Sequence, residues 1–257
     1  MKARAKGNKA IATAIALLLS ALLFASLATG EVAQKQGVRV TVAGAIAPKR
    51  LPRKGSAPIA VSVSGHIDST KPGASPQLKK FTIQINRAGR LSFKGIPSCR
   101  IGRIDPSTTQ QAMAACGPSL IGEGHFSANV KLPEQSPFPS DGKVLAFAGK
   151  VRGENAIFAH IYGTQPVDTS YVLPFLVKET KGTYGTILEA FLPQATGEWG
   201  FVSGISLNLN RKGFITAGCP APKGFSKVSF PMMRTSFGFA GGLQMSETLN
   251  RSCEAIG

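Results

Sequence analysis

Lys143 to Gly163, KVLAFAGKVRGENAIFAHIYG, constrains the fold of this chain more than any other stretch. It reads as two strongly apolar strands joined by a short polar turn, Arg152-Gly153-Glu154-Asn155. In the first strand Leu145, Phe147, Gly149 and Val151 share one face, while Val144, Ala146 and Ala148 make the other face apolar too. In the second, Ile157, Ala159 and Ile161 oppose Phe158, His160 and Tyr162. Side chains alternate between faces along a strand, so a strand that is apolar on both sides must be covered on both. This hairpin therefore belongs in the middle of the protein.

The flanking segments are weaker and half-polar. Ile59, Val61 and Val63 alternate with Ala60, Ser62 and Ser64, and Phe81, Ile83 and Ile85 alternate with Thr82, Gln84 and Asn86. The longest regular alternation runs from Trp199 through Ile205 and Leu207 to Leu209. One apolar face and one wet face mark antiparallel sheets laid over a core. Val38–Val42 reads as a short edge strand, and Tyr171–Val177, interrupted by Pro174, as an edge or bulged strand. Arg87-Ala88-Gly89-Arg90 turns the Phe81 strand into Leu91-Ser92-Phe93 as a hairpin. One helix stands out: Ser107 caps it, Gln110 completes a capping box, and Gly117-Pro118 stops it. These elements predict an all-β chain, an antiparallel β-sandwich of jelly-roll type with one short helix, because doubled sheets hide strand edges. Residues 57–257 read as a single β-sandwich domain, and 31–56 as a basic, loosely ordered leader.

Residues 1–30 read as a signal peptide. A basic start, KARAKGNK, precedes an apolar run from Ile11 to Ala28, with small residues at Ser26-Leu27-Ala28 and Ala28-Thr29-Gly30 for a signal peptidase. The competing reading is an uncleaved anchor, the one route to the membrane that the sequence offers. Either way the chain is expected to be secreted or associated with the cell envelope. Four cysteines in an exported chain are read as two disulfides, paired in order so that each closes a local loop: Cys99 with Cys116 and Cys219 with Cys253. The first should stabilise the fold by about 3 kcal/mol and the second by roughly 4.

The formal charge is +17, and it is lopsided. Residues 31–103 carry fourteen Lys and Arg against Glu31 and Asp68, whereas residues 104–257 are nearly balanced. A field of one sign attracts polyanions over a reach of about 8 Å at physiological salt. Lys49, Arg50, Arg53, Lys54, Lys79 and Lys80 are the candidate contacts for an anionic cell-wall polymer, polysaccharide or lipid surface. Nucleic acid is not expected as a partner, given export and few aromatics suited to stacking.

Chemistry is sparse. There is no G-x-S-x-G nucleophile motif, no nucleotide-binding glycine loop and no compact carboxylate cluster. The three histidines sit in strand-like surroundings. His66 with Asp68 and Glu123 with His125 each share a face and could pair on a metal, but no metal site or cofactor is assigned. His160, with Tyr162 beside it, is the candidate pocket residue; its bland alternative is a buried neutral histidine held by hydrogen bonds.

The motifs LPEQSPFPSDGKVLAFAGK, AIFAHIYG, GTYGT, CPAPKGF and RTSFGFAGG resemble an uncharacterised group of secreted proteins from actinobacteria, over most of the chain from about residue 50. The resemblance implies export and a shared fold, and carries no known activity. The expectation is an exported, non-enzymatic protein that binds a ligand or anionic surface through its basic first third. The alternative is a secreted hydrolase with a site near His160.

Overall fold

A computed structural model describes residues 30–72, 76–131, 134–165, 167–192 and 200–257. The signal segment and Trp199 lie outside the described residues. The described residues are all-β with one short α-helix. Its first half supplies β1 (Glu31–Lys35), β2 (Val38–Ala47), β3 (Arg50–Pro52), β4 (Ala57–Pro58), β5 (Ala60–Ser69), β6 (Leu78–Asn86), β7 (Gly89–Leu91), the helix α1 (Thr109–Cys116) and β8 (Leu120–Val130). Then come β9 (Phe138–Val151), β10 (Glu154–Gly163), β11 (Thr169–Glu179), β12 (Tyr184–Phe191) and β13 (Gly200–Leu209). The last are β14 (Ile215–Ala217), β15 (Lys227–Phe239) and β16 (Gln244–Ile256).

Thirteen strands form one sheet in the order β1-β2-β5-β13-β8-β9-β10-β11-β12-β6-β15-β16-β3. Neighbours are antiparallel except β16 and β3. The hairpin β9–β10 stands at the centre of this order, as its two apolar faces require. Its turn shrinks to Arg152 (φ 51°) and Gly153 (φ 90°), both left-handed, which suits the twist of a two-residue hairpin loop.

The two ends of the sheet come round to meet. Arg251 on β16 donates to Glu31 on β1 at 2.9 Å and, through Nε, to the carbonyl of Gly44 on β2 at 2.5 Å. A β-carbon on Gly44 would sit 2.9 Å from Leu249. The expected two layers are thus opposite walls of one wrapped sheet, sealed along β1, β2 and β16 by side chains. One core lies inside and draws on strands from β2 to β16.

Several local expectations shift. Residues 31–52 carry three strands, and β2 is flanked by β1 and by β5 over ten residue pairs, so it is not an edge. β7 does not pair with β6; it joins β4 and β14 in a three-stranded sheet. That sheet spans the end of the wrapped sheet where β6 and β13 finish and β5 begins, and its Ile215, with Phe214 in the turn just before it, plugs that end. β11 lies between β10 and β12, although its ladder with β12 ends at Leu176–Glu189, two residues short of Pro174, which has no N–H to give.

Both expected disulfides are present, with Cα separations of 5.5 Å for Cys99–Cys116 and 5.7 Å for Cys219–Cys253. Among the described residues no helix is long and apolar enough to cross a membrane.

Candidate functional site

Inward-facing side chains of the wrapped sheet do not fill the space they enclose. A cavity of about 170 Å³ runs through the interior. Large residues reach into it from one wall: Phe81, Ile83 and Ile85 of β6, Met233 and Phe237 of β15, Phe175 of β11. The opposite wall mixes branched aliphatic residues, among them Val63, Ile205 and Leu207, with small ones. Ala146 and Ala159 line it, and register places Gly124 opposite Val144 and Leu207 on that wall. Gly65 on β5 also lines it, with nothing nearer to a built β-carbon than Ile205 Cγ2 at 3.9 Å. Interiors normally close to crystal-like density, so unfilled space of this size is unusual. A cavity of roughly 150 Å³ lined by Leu, Ile and Phe stays dry and accepts a benzene-sized guest.

The polar groups in the wall are already used. Asn86 donates through Nδ2 to the carbonyl of Pro231 at 2.9 Å and accepts from the Ala88 amide at 2.9 Å. Thr235 donates to the carbonyl of Glu247 at 3.4 Å. The rest of the lining among the described residues is almost entirely carbon, so what fits is hydrocarbon.

His160 is elsewhere. It points to the outer face of β10, fully buried beneath the segment that leads into α1. Its Nε2 lies 2.9 Å from the carbonyl of Ser107 and 3.1 Å from the Ser107 hydroxyl. A carbonyl can only accept, so Nε2 carries the proton. Nδ1 is buried with no hydrogen-bond partner. Burial holds the pKa below the ordinary histidine value, against the opposing pull of the Ser107 carbonyl bond and of Asp105. His160 is a neutral pin, and it does not line the cavity.

That contact also relocates the helix cap. Ser107 is spent on His160, on the Ile104 carbonyl and, through its amide, on Ser170 Oγ. Thr108 caps α1 instead, its hydroxyl accepting from the Gln111 amide while Gln111 accepts from the Thr108 amide. The capping box is real and one residue further on. Tyr162, two positions past His160, is partly exposed; desolvation and Asp168 raise its pKa.

The metal pairs do not converge. His66 Nε2 lies 3.0 Å from Asp68 Oδ1, but Glu123 is bound to Lys143 at 2.8 Å, which lowers the Glu123 pKa. His66 pairs with Gly204 and His125 with Ser206, so β13 stands between them. Among the described residues no three His, Cys, Asp or Glu gather at a metal-sized point.

The six candidate cations separate into two groups. Lys79 and Lys80 sit at the start of β6, and Lys80 is engaged by Glu189 at 2.6 Å and the Phe191 ring at 5.0 Å. Lys49, Arg50, Arg53 and Lys54 gather at the plugged end. Lys227, linked by register to Arg50 through Glu254, is eleven residues along β15 from Gly238, the partner of Lys80. At about 3.3 Å per residue the groups lie roughly 35 Å apart. Arg53 is structural: its guanidinium donates to the carbonyls of Ala221, Pro222 and Phe225 at 2.6–2.9 Å. The sequence did not reveal the cavity or the C-terminal cations that join the plugged end, because both depend on long-range pairing.

No family model matches the chain. No curated protein matches it. A solved structure described as "AvmM Catalyzes Macrocyclization in Alchivemycin A Biosynthesis" is similar at 8% identity and a TM-score of 0.25, covering 88% of this chain and 96% of that one. A likeness at that score carries no argument about activity.

Proposed function

We propose that this chain is an exported, non-enzymatic carrier that holds a small apolar molecule inside its wrapped sheet. The observation that carries the reading is the cavity itself: unfilled space enclosed by walls that are almost entirely carbon, with Asn86 and Thr235 hydrogen-bonded within the wall. Two disulfides that each fasten a loop suit an oxidising compartment outside the cytoplasm. The hydrolase alternative has less support, because His160 is sealed away from solvent and hydrogen-bonded to backbone. A guest in such a site is stabilised by burial of carbon alone, at about 25 cal/mol per Å², so selectivity follows size and shape.

Titration with the small apolar fluorophore naphthalene tests this. Saturable binding with a Kd on the order of micromolar is expected. It should be lost in Gly65→Leu, whose side chain enters the cavity. Unsaturable binding, or equal binding by Gly65→Leu, would end the proposal.

A further inference from the structure

The plugged end carries a feature that the cavity does not explain. Phe225, at the tip of the Cys219-Pro220-Ala221-Pro222-Lys223-Gly224-Phe225 loop, is 63% exposed, and Ile256 beside it is 43% exposed. Their adjacency is fixed by backbone: the Ala255 amide donates to the Ser226 carbonyl at 2.7 Å, and the Arg53 amide to the Ile256 carbonyl at 3.1 Å. Around these two apolar tips stand Lys49, Arg50, Lys54, Lys223 and Lys227, all exposed. Of the five, Arg50 alone has an ion pair among the described residues, with Glu254 at 3.8 Å.

We infer that this end of the protein docks on an anionic lipid bilayer, with Phe225 and Ile256 entering the headgroup boundary and the cations meeting lipid phosphates. Aromatic and aliphatic tips ringed by Lys and Arg have the chemistry of an interfacial anchor: carbon gains by leaving water, and basic groups gain from the negative surface potential. A soluble polyanion would satisfy the cations but leave exposed carbon in water, so the apolar tips decide for lipid. The loop is also held ready. Arg53 ties three of its carbonyls, and the Phe225 amide donates back to the Pro222 carbonyl at 3.1 Å, so little ordering is needed on docking. The cations of this proposed contact come from both halves of the sequence, with Lys223 and Lys227 added to those of the first third. The inference does not depend on the cavity being occupied.

Co-sedimentation of the exported chain with vesicles tests it at about 0.1 M salt, where the Debye length is near 10 Å. Binding is expected to vesicles of equimolar phosphatidylglycerol and phosphatidylcholine, and not to phosphatidylcholine alone. Phe225→Ser should weaken it by about tenfold, the scale set by losing a buried aromatic from the boundary. Lys54→Glu with Lys223→Glu should abolish it, with thermal melting unchanged in each variant because the residues are exposed. Equal binding to neutral vesicles would overturn the inference. So would full binding by Phe225→Ser together with complete competition by soluble polyglutamate, which would make the end a polyanion site.

Discussion

The two faces of the β9–β10 hairpin were built from the same run of sequence and ended in opposite conditions. The outer face is packed: Leu145, Phe147, Ala156 and Phe158 meet Val172, Ile104, Ala112 and the Cys99–Cys116 bridge with almost no exposure. Phe158 lies so close over Gly149 that a β-carbon there would collide with its ring. The inner face presents Val144, Ala146, Ile157 and Ala159 to open space. Hydrophobicity alone does not separate a folding core from a binding site; residue size against its partner does. Where large meets small on the outer face, the ring fills the glycine's gap. On the inner face the gap remains.

Truncation should show this difference most strongly. Phe158→Ala removes a fully buried ring from the packed side and should cost about 4 kcal/mol. Phe81→Ala, on the cavity wall, should cost about 2, although Phe81 stacks near Phe237 at 5.0 Å and meets Phe175 edge-on at 6.2 Å. Its ring already borders empty space, so fewer contacts are lost. Urea unfolding of the two variants measures the gap, and equal costs would erase the distinction between the faces.

The Cys99–Cys116 bridge belongs to the packed face. It fastens α1 and the segment whose Cys99 amide donates to the Ala148 carbonyl, pairing the edge of β9 just beyond Phe147, where β8 begins. Replacing both cysteines by alanine should lower stability by about 3 kcal/mol. Fluorophore binding in the cavity should survive under native conditions, since the bridge lies on the other side of the sheet. Loss of binding in a folded double variant would show that the faces are coupled.

Much of the fold was legible in the sequence, for a physical reason. The hairpin is apolar at almost every position, so its double burial could be read without knowing what covers it. Disulfide pairing followed from loop closure. The cap of α1 was misplaced by one residue because Ser107 and Thr108 are both competent caps, each with a glutamine three positions on. What decided between them was His160, a partner 53 residues away. Likewise the turn after β6 was recognisable, but β7 takes its ladder from β14, far along the chain. The cavity was the least legible feature. It arises where Gly65, Ala146 and Ala159 look across at Phe81 and Phe237, and no local pattern records which strand a glycine will face.

Gly65→Leu sharpens the comparison from the cavity side. The position has ordinary extended backbone and open space, so the added side chain should fill the gap without displacing neighbours. Stability should rise by about 1 kcal/mol, from reduced freedom of the unfolded chain and from buried carbon. A destabilised variant would mean that the space is closed to a leucine and hence to a guest. The contrast lies with Gly124, where a β-carbon would strike the Ser206 carbonyl; there Gly→Ala should destabilise by about 3 kcal/mol.

Acid brings the comparison back to His160 on the packed face. Its folded pKa is depressed, chiefly by burial, below the ordinary value near 6.5. The folded state therefore stays neutral at a pH where the unfolded chain takes up a proton. Stability linked to this histidine is fully present above about pH 6.5 and is lost as pH falls below it, by at most about 1.4 kcal/mol per pH unit, until the folded value is reached. The carboxylates Glu123 and Glu189 are held by lysines at depressed pKa values, so their stabilisation also falls in acid, but below their ordinary value of 4.5. Between roughly pH 6.5 and 5 the slope therefore belongs to histidine. His160→Gln keeps a side-chain N–H for the Ser107 carbonyl and cannot titrate. Its denaturation midpoint should be flatter over that window than the parent's. A parent slope unchanged by the substitution would place the titrating group elsewhere, and His160 would lose its standing as the buried neutral pin of the packed face.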